Sequence, residues 1–227
     1  MTASLGRRVG AEMLGSALLT AVVVGSGIAA QRLSPGDTGL QLLENAFATA
    51  LGLSVLILLF AAISGAHFNP VVSVVDAARG GRSWGDVAAY IPAQIIGCVA
   101  GAILANLMFA GSAVSWSTTD RLTPQHFLAE VVATAGLVIV IFLLADTDRA
   151  GVIPVAVGAY IGAAYFFTSS ASFANPAITI GRMFSDSFAG IAPGSAPGYI
   201  AAQLVGGGVG LGVVLWFRRG TKDTAAR

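Results

Sequence analysis

Ser64-Gly65-Ala66-His67-Phe68-Asn69-Pro70-Val71 lies in the first half of this chain, and Phe173-Ala174-Asn175-Pro176-Ala177 lies in the second. Each stretch puts an Asn-Pro pair inside a fairly apolar segment, roughly residues 64–79 and 169–185, too short to cross a bilayer. Proline suits the first turn of a helix, where its missing N–H costs nothing. Asparagine just before it is a good N-cap. An apolar, capped helix too short to span is a candidate re-entrant half-helix, and two such segments set the frame for everything around them.

The rest of the chain supplies the setting. Six stretches reach or approach the ~20 apolar residues a spanning helix needs: roughly residues 9–30, 42–63, 87–109, 127–145, 152–168 and 199–217, the fifth being short. Of the 227 residues, 56% are hydrophobic and 10% charged, and 29 are glycine. Soluble domains carry about 25% charged residues, and glycine is commoner in membrane helices than in soluble ones. The basic stretch at residues 1–10 runs straight into apolar sequence without a small-residue cleavage site, so it reads as the start of a retained span. A net charge of +1 offers no general attraction to nucleic acid. The lone Cys98 can form neither an intrachain disulfide nor a metal site. No nucleophile–base pair or metal cluster is visible, so neither an enzyme nor a cofactor is expected.

Both termini are expected on the cytoplasmic side. That placement collects Arg7, Arg8, Arg79, Arg82, Arg149, Arg218, Arg219, Lys222 and Arg227 inside and leaves Arg32, Arg121 and Arg182 outside, in keeping with the positive-inside rule. The chain also repeats itself. Tyr90-Ile91-Pro92-Ala93-Gln94-Ile95-Ile96-Gly97 matches Tyr199-Ile200-Ala201-Ala202-Gln203-Leu204-Val205-Gly206, and Ala11-Glu12 matches Ala129-Glu130. One domain over residues 1–227 is expected, with halves at about 7–115 and 122–219. Three spans per half force the two copies into opposite orientations and place the functional site where the broken elements meet near the midplane.

With two Asn-Pro motifs in matching places of an inverted six-span repeat, the sequence resembles the aquaporins over nearly its whole length. The resemblance implies an all-α bundle of six transmembrane helices plus two re-entrant half-helices, assembled as a homotetramer in the lipid bilayer with one pore per subunit. Half-helices starting at Asn69-Pro70-Val71 and Asn175-Pro176-Ala177 meet end to end, and each start carries roughly +0.5 of an elementary charge. That repels cations and protons, while the two amides offer donors to a passing oxygen. By analogy the carbonyls of Gly65, Ala66, His67 and Phe68, and of Ala171, Ser172, Phe173 and Ala174, face the pore. His67 either titrates as a gate or simply holds its loop. Glu12 and Glu130 accept loop N–H groups, the alternative being the proton relay of a coupled transporter. Gln94 and Gln203 hydrogen-bond between helices or to the loops. Pairs such as Gly97/Gly101 and Gly206/Gly210 permit close helix crossings.

The departures from the family pattern bear on selectivity. Water-selective members carry an arginine directly after the second Asn-Pro-Ala, where this chain has Ile178. Carried across by offset, the other filter positions fall on Thr49, Ala163 and Ser172. Such a filter is small and uncharged, hence wide. Val71 in place of alanine adds bulk near the centre, expected to narrow or dry it. Arg182, one turn after Ile178, stands as a displaced positive charge at the outer mouth or pairs with Asp186. The pattern resembles bacterial members linked to arsenite. The expected function is a passive channel for small neutral solutes, metalloid acids and glycerol-like polyols, and for water. A strict water channel and an ion-coupled transporter are the alternatives.

Overall fold

The computed structural model describes residues 3–147 and 149–225, with side chains up to Arg218. Met1 and Arg227 lie outside the described residues, and so do the side chains of Arg219 and Lys222. Eight α-helices occur among the described residues: α1 Leu5–Leu33, α2 Thr38–Ser64, α3 Pro70–Ala78, α4 Trp84–Met108, α5 Pro124–Ala145, α6 Ile153–Phe167, α7 Pro176–Arg182 and α8 Ala196–Ala225. Six are long and apolar enough to cross a membrane, α6 with the help of a 3-10 turn at Ala150–Val152. The two half-helices, α3 and α7, have 9 and 7 residues, only about 10–14 Å of rise.

Local chemistry sets the ends. The Asp37 carboxylate accepts from the Leu40 N–H, and the Ser83 and Thr123 hydroxyls accept from Asp86 and His126 N–H groups. Each thereby satisfies an orphan donor of a first turn. The spans outrun their apolar cores: α1 takes in Arg7, Arg8 and Arg32 at its two ends.

Helix α1 packs along α4, α5 along α8, and α2 crosses α6 to join the halves. Missing side chains make these approaches possible. A Cβ on Gly97 or Gly101 would sit 2.2 Å from the Met13 carbonyl oxygen or 2.1 Å from that of Ala17, and one on Gly206 or Gly210 2.5 Å from Val131 or 2.8 Å from Ala135. Phe47, Leu51, Val55 and Leu58 on α2, and Val155 and Phe166 on α6, are exposed on the outside of the bundle, as a lipid-facing surface requires. Trp84, Trp116 and Trp216 are exposed as well, like the interfacial aromatics of membrane proteins. At one end Arg8 pairs with Asp86, Arg79 and Arg218 with Asp146, and Arg82 with Asp76. At the other, Arg32 donates to the Phe109 carbonyl and Arg121 to that of Gly190.

Candidate functional site

The loops entering α3 and α7 are contorted in the same way. Gly65, Ala66 and Phe68 have φ of 94°, 51° and 50°, and Ala171, Ser172 and Ala174 have 57°, 44° and 48°. Non-glycine residues in the left-handed region persist only where their surroundings hold them. Two fully buried carboxylates do the holding. Glu12 accepts from Ser64 Oγ at 2.6 Å, His67 N at 3.0 Å, Phe68 N at 2.7 Å and Gln94 Nε2 at 2.8 Å. Glu130 accepts from Ser170 Oγ at 2.6 Å, Phe173 N and Ala174 N at 2.8 Å and Gln203 Nε2 at 2.7 Å. Hydrogen bonds to an ionised acceptor are roughly twice as strong as neutral ones. Neither carboxylate borders the lumen, and among the described residues neither has a basic partner, which leaves the proton-relay alternative without support.

Between the loops the half-helix starts clasp each other. Asn69 Oδ1 accepts from Val71 N at 3.0 Å, and Asn175 Oδ1 from Ala177 N at 2.9 Å and Ile178 N at 3.3 Å. Each amide nitrogen reaches across the pseudo-twofold: Asn69 Nδ2 to the Ala174 carbonyl at 2.8 Å, Asn175 Nδ2 to that of Phe68 at 2.7 Å. One N–H of each amide is spent on the clasp, and both asparagines border the lumen. This corrects the expected roles of Phe68 and Ala174. Their carbonyls join the halves, and neither residue lines the cavity; the Phe68 ring packs against Gly15 and, edge-on at 5.9 Å, against Phe60. Gly65 and Ala66 border the inner vestibule, and Ala171 the outer one. The His67 ring is held at both nitrogens, by Ser73 Oγ at 3.0 Å and Asp76 at 3.4 Å, while still bordering the lumen.

The lumen wall follows a four-residue spacing. Helix α2 gives Thr49, Leu53 and Ile57, α6 gives Val157, Ile161 and Tyr165, and α1 and α5 give Leu19, Val23, Leu137 and Ile141. The lumen space is about 70 Å³, room for about five to seven waters at the ~10–15 Å³ each requires. Of the expected filter, Thr49, Ser172 and Ile178 face this space. Ala163 does not: it is exposed on the outer surface. It lies two residues from both Ile161 and Tyr165, about 200° round the helix from each, so the assumed offset misses the inner face. Tyr165 stands there instead, its hydroxyl 3.2 Å from Thr49 Oγ1, and the filter is narrower than an alanine implies. The recurrence of a large side chain at 157, 161 and 165 is the signal that points to it. Ser172 Oγ has no hydrogen-bond partner among the described residues.

Val71 also departs from its expected place. A Cβ on Gly207 would meet Val71 Cγ1 at 2.5 Å, so the side chain points at α8 and leaves the wall to Val72. Arg182 is 2% exposed, lies between the lumen and the outer vestibule, and stacks with Cζ 3.3 Å from the Phe173 ring centre. Its Nε donates to the Ala189 carbonyl. Asp186 instead accepts from Thr118 N at 3.0 Å and Thr118 Oγ1, so the Arg182–Asp186 pair is not formed.

Known proteins resemble this chain in sequence and in fold. Aquaglyceroporin AqpS of Rhizobium meliloti is 46% identical over 212 residues, covering 93% of this chain and 90% of its own length. The glycerol uptake facilitator protein of Streptococcus pneumoniae is 30% identical over 165 residues, 66% of this chain and 70% of that one. In fold, an aquaglyceroporin from Plasmodium falciparum superposes with a TM-score of 0.65 at 23% identity, over 94% of this chain and 95% of that chain. The profile of the major intrinsic proteins matches residues 1–173, and with two clasped Asn-Pro half-helices inside six spans, the chain belongs to the major intrinsic protein family.

Proposed function

We propose that this chain is a passive channel for small uncharged solutes, glycerol-like polyols and metalloid acids such as arsenite, together with water. The observation that carries this reading is the lumen itself. It runs past both half-helix starts, where each asparagine keeps a free N–H, is lined mainly by aliphatic side chains, and offers a few polar groups toward its outer end: Thr49, Tyr165 and the unpartnered Ser172 Oγ. A molecule that presents hydroxyls to one side and little charge to the other fits such a wall. An ion loses its hydration there without compensation, and the two dipoles oppose a cation. Ile178 leaves the place of the family's filter arginine uncharged. The names of the two relatives point the same way, toward glycerol.

Tyr165 favours a second reading, a water channel, because it fills space that the sequence left open. Stopped-flow light scattering on proteoliposomes with water, glycerol, urea and arsenous acid separates the two. Glycerol or arsenous acid flux well above protein-free vesicles supports the wider channel. Water flux alone installs the narrow one, and concentrative uptake that collapses with a proton or sodium gradient overturns both. The nine-to-three distribution of cations supports termini on the cytoplasmic side. The family resemblance supports one homotetramer of 1–227 chains, a pore in each, which native mass spectrometry checks.

A further inference from the structure

The outer vestibule, about 480 Å³, carries cationic side chains that neutral-solute conduction does not need. Arg182 and Arg121 both border it, and among the described residues no Asp or Glu does. Among those residues neither guanidinium lies within ion-pair distance of a carboxylate: Asp120 accepts from Ser195 and Leu122, and Asp186 from Thr118. Both forks are positioned by one tripeptide. Phe188 and Gly190 carbonyls accept from Arg121 Nη2 at 2.8 Å and Nε at 2.7 Å, and the Ala189 carbonyl accepts from Arg182 Nε. Ala189 is itself wedged against Gly27 of α1, where a Cβ would stand 2.9 Å away. Both guanidiniums also lie against the same Phe173 ring, their Cζ atoms 3.3 and 5.6 Å from its centre. This leaves Arg182 Nη1 and Nη2 and Arg121 Nη1 without a protein acceptor among the described residues, in a chamber that Thr119, Thr168 and Ser187 also border.

Two like charges that border one chamber repel each other, and a shared anion removes that cost. Guanidinium forks match planar or tetrahedral oxygen groups. We infer that the outer vestibule is a binding site for a small oxyanion, bridged between Arg121 and Arg182. The anion stops there, because the wall beyond it is aliphatic and offers no charged partner. Its occupancy plugs the mouth, so external oxyanion slows neutral solute from that side. The inference rests on the pore reading for its effect on flux, but not for binding.

The test uses the purified full-length protein, with inorganic phosphate as probe against chloride at matched ionic strength. Phosphate is expected to raise the thermal unfolding temperature of wild type beyond chloride, with the excess at least halved in Arg121→Gln and partly kept in Arg121→Lys. Equal effects of the two salts, or an excess untouched by both Arg121→Gln and Arg182→Gln, overturn the site. In vesicles, external phosphate is expected to lower glycerol flux saturably, and Arg121→Gln to raise the half-blocking concentration about tenfold. Phosphate trapped inside is expected to have no such effect, and equal block from both sides overturns the placement. Loss of the phosphate effect on adding phosphatidylglycerol assigns the site to lipid headgroups and overturns the soluble anion. Protein that binds phosphate but passes no glycerol fails the pore reading and leaves the site standing.

Discussion

Val71 and Gly207 make a pair whose energetics can be worked in advance. Gly207 follows Gly206 of the repeat as Cys98 follows Gly97, so the second half has no side chain where the first has a thiol. The first half-helix carries valine after its Asn-Pro, and the second carries alanine. Bulk on one element is matched by its absence on the facing one. In Gly207→Ala the new Cβ falls 2.5 Å from Val71 Cγ1, about 1 Å inside the optimum for two carbons. A β-branched residue in a helix has one strongly preferred rotamer, so Val71 does not simply swing aside. Overpacking of this kind costs about 1–3 kcal/mol, against which alanine gains ~1 kcal/mol over glycine in helix propensity. Val71→Ala alone strips two buried methyl groups, worth roughly 1.6 kcal/mol at ~0.8 each.

The double variant discriminates. With Val71 cut back, the methyl group introduced by Gly207→Ala enters the space it vacates, and the propensity gain is no longer opposed. Gly207→Ala is therefore expected to be neutral or destabilising in the wild-type background and stabilising in the Val71→Ala background, with a coupling of about 1–2 kcal/mol. Flux follows stability, because Val71 N is bonded to Asn69 Oδ1. A push on Val71 displaces Asn69 from the clasp with Ala174. The assay is thermal unfolding in detergent together with glycerol flux in vesicles, for the four proteins of the cycle. If Gly207→Ala shifts stability by the same amount and sign in both backgrounds, the volume-matching argument is refuted.

Other perturbations read different parts of the site. Glu12→Gln and Glu130→Gln each put an amide NH2 against N–H and O–H donors, so each is expected to cost several kcal/mol and to abolish flux; near-normal expression and flux in both would remove the loops' proposed support. Asn69→Asp and Asn175→Asp keep the cap but lose the donors to Ala174 and Phe68, and are expected to cut neutral flux or admit cations, whereas Ala163→Val on the outer surface should change neither. Tyr165→Phe, which loses only the hydroxyl facing Thr49, should alter the glycerol-to-water permeability ratio, and Tyr165→Ala should raise it several-fold; an unchanged ratio in both variants excludes Tyr165 from the constriction. Ile178→Arg is expected to suppress glycerol and arsenous acid flux far more than water flux, and equal suppression of all three would show a blocked or misfolded pore.

The scaffold is legible because the chain states it twice. Glu12 and Glu130, Asn69 and Asn175, and Gln94 and Gln203 recur at matching places, and each pair makes matching bonds in the structure. Hydropathy also exposes the span pattern, because the six long helices turn apolar faces to the outside and no soluble alternative competes. The filter is less legible. Ala163 follows from a fixed offset from the second motif, and one step along a helix turns a side chain by about 100°. A small error in register therefore moves a residue from the lumen to the lipid. Val71 misleads for a related reason: its neighbour Gly207 sits at a distant point in the sequence, and only packing reveals which way the valine points.

The two halves diverge at the positions proposed to form the filter, and they do so at one end. Thr49, Tyr165, Ser172 and Ile178 gather toward the outer vestibule, while the inner lumen is walled by Leu53, Ile57, Ile141 and Val157. Clasp and carboxylates must obey the pseudo-twofold, because each half-helix depends on the other's carbonyl. Apart from the Thr49–Tyr165 hydroxyl contact, the filter has no such partner in the opposite half, so its other residues are free to change one at a time. Ile178 and Arg182 illustrate the consequence. Isoleucine faces the lumen, and the nearest positive charge stands one helical turn outward, stacked on Phe173 and bonded to Ala189. The guanidinium borders the outer vestibule as well as the lumen, while Ile178 borders the lumen alone. In this protein the positive charge and the uncharged isoleucine thus stand at different levels of the same pore.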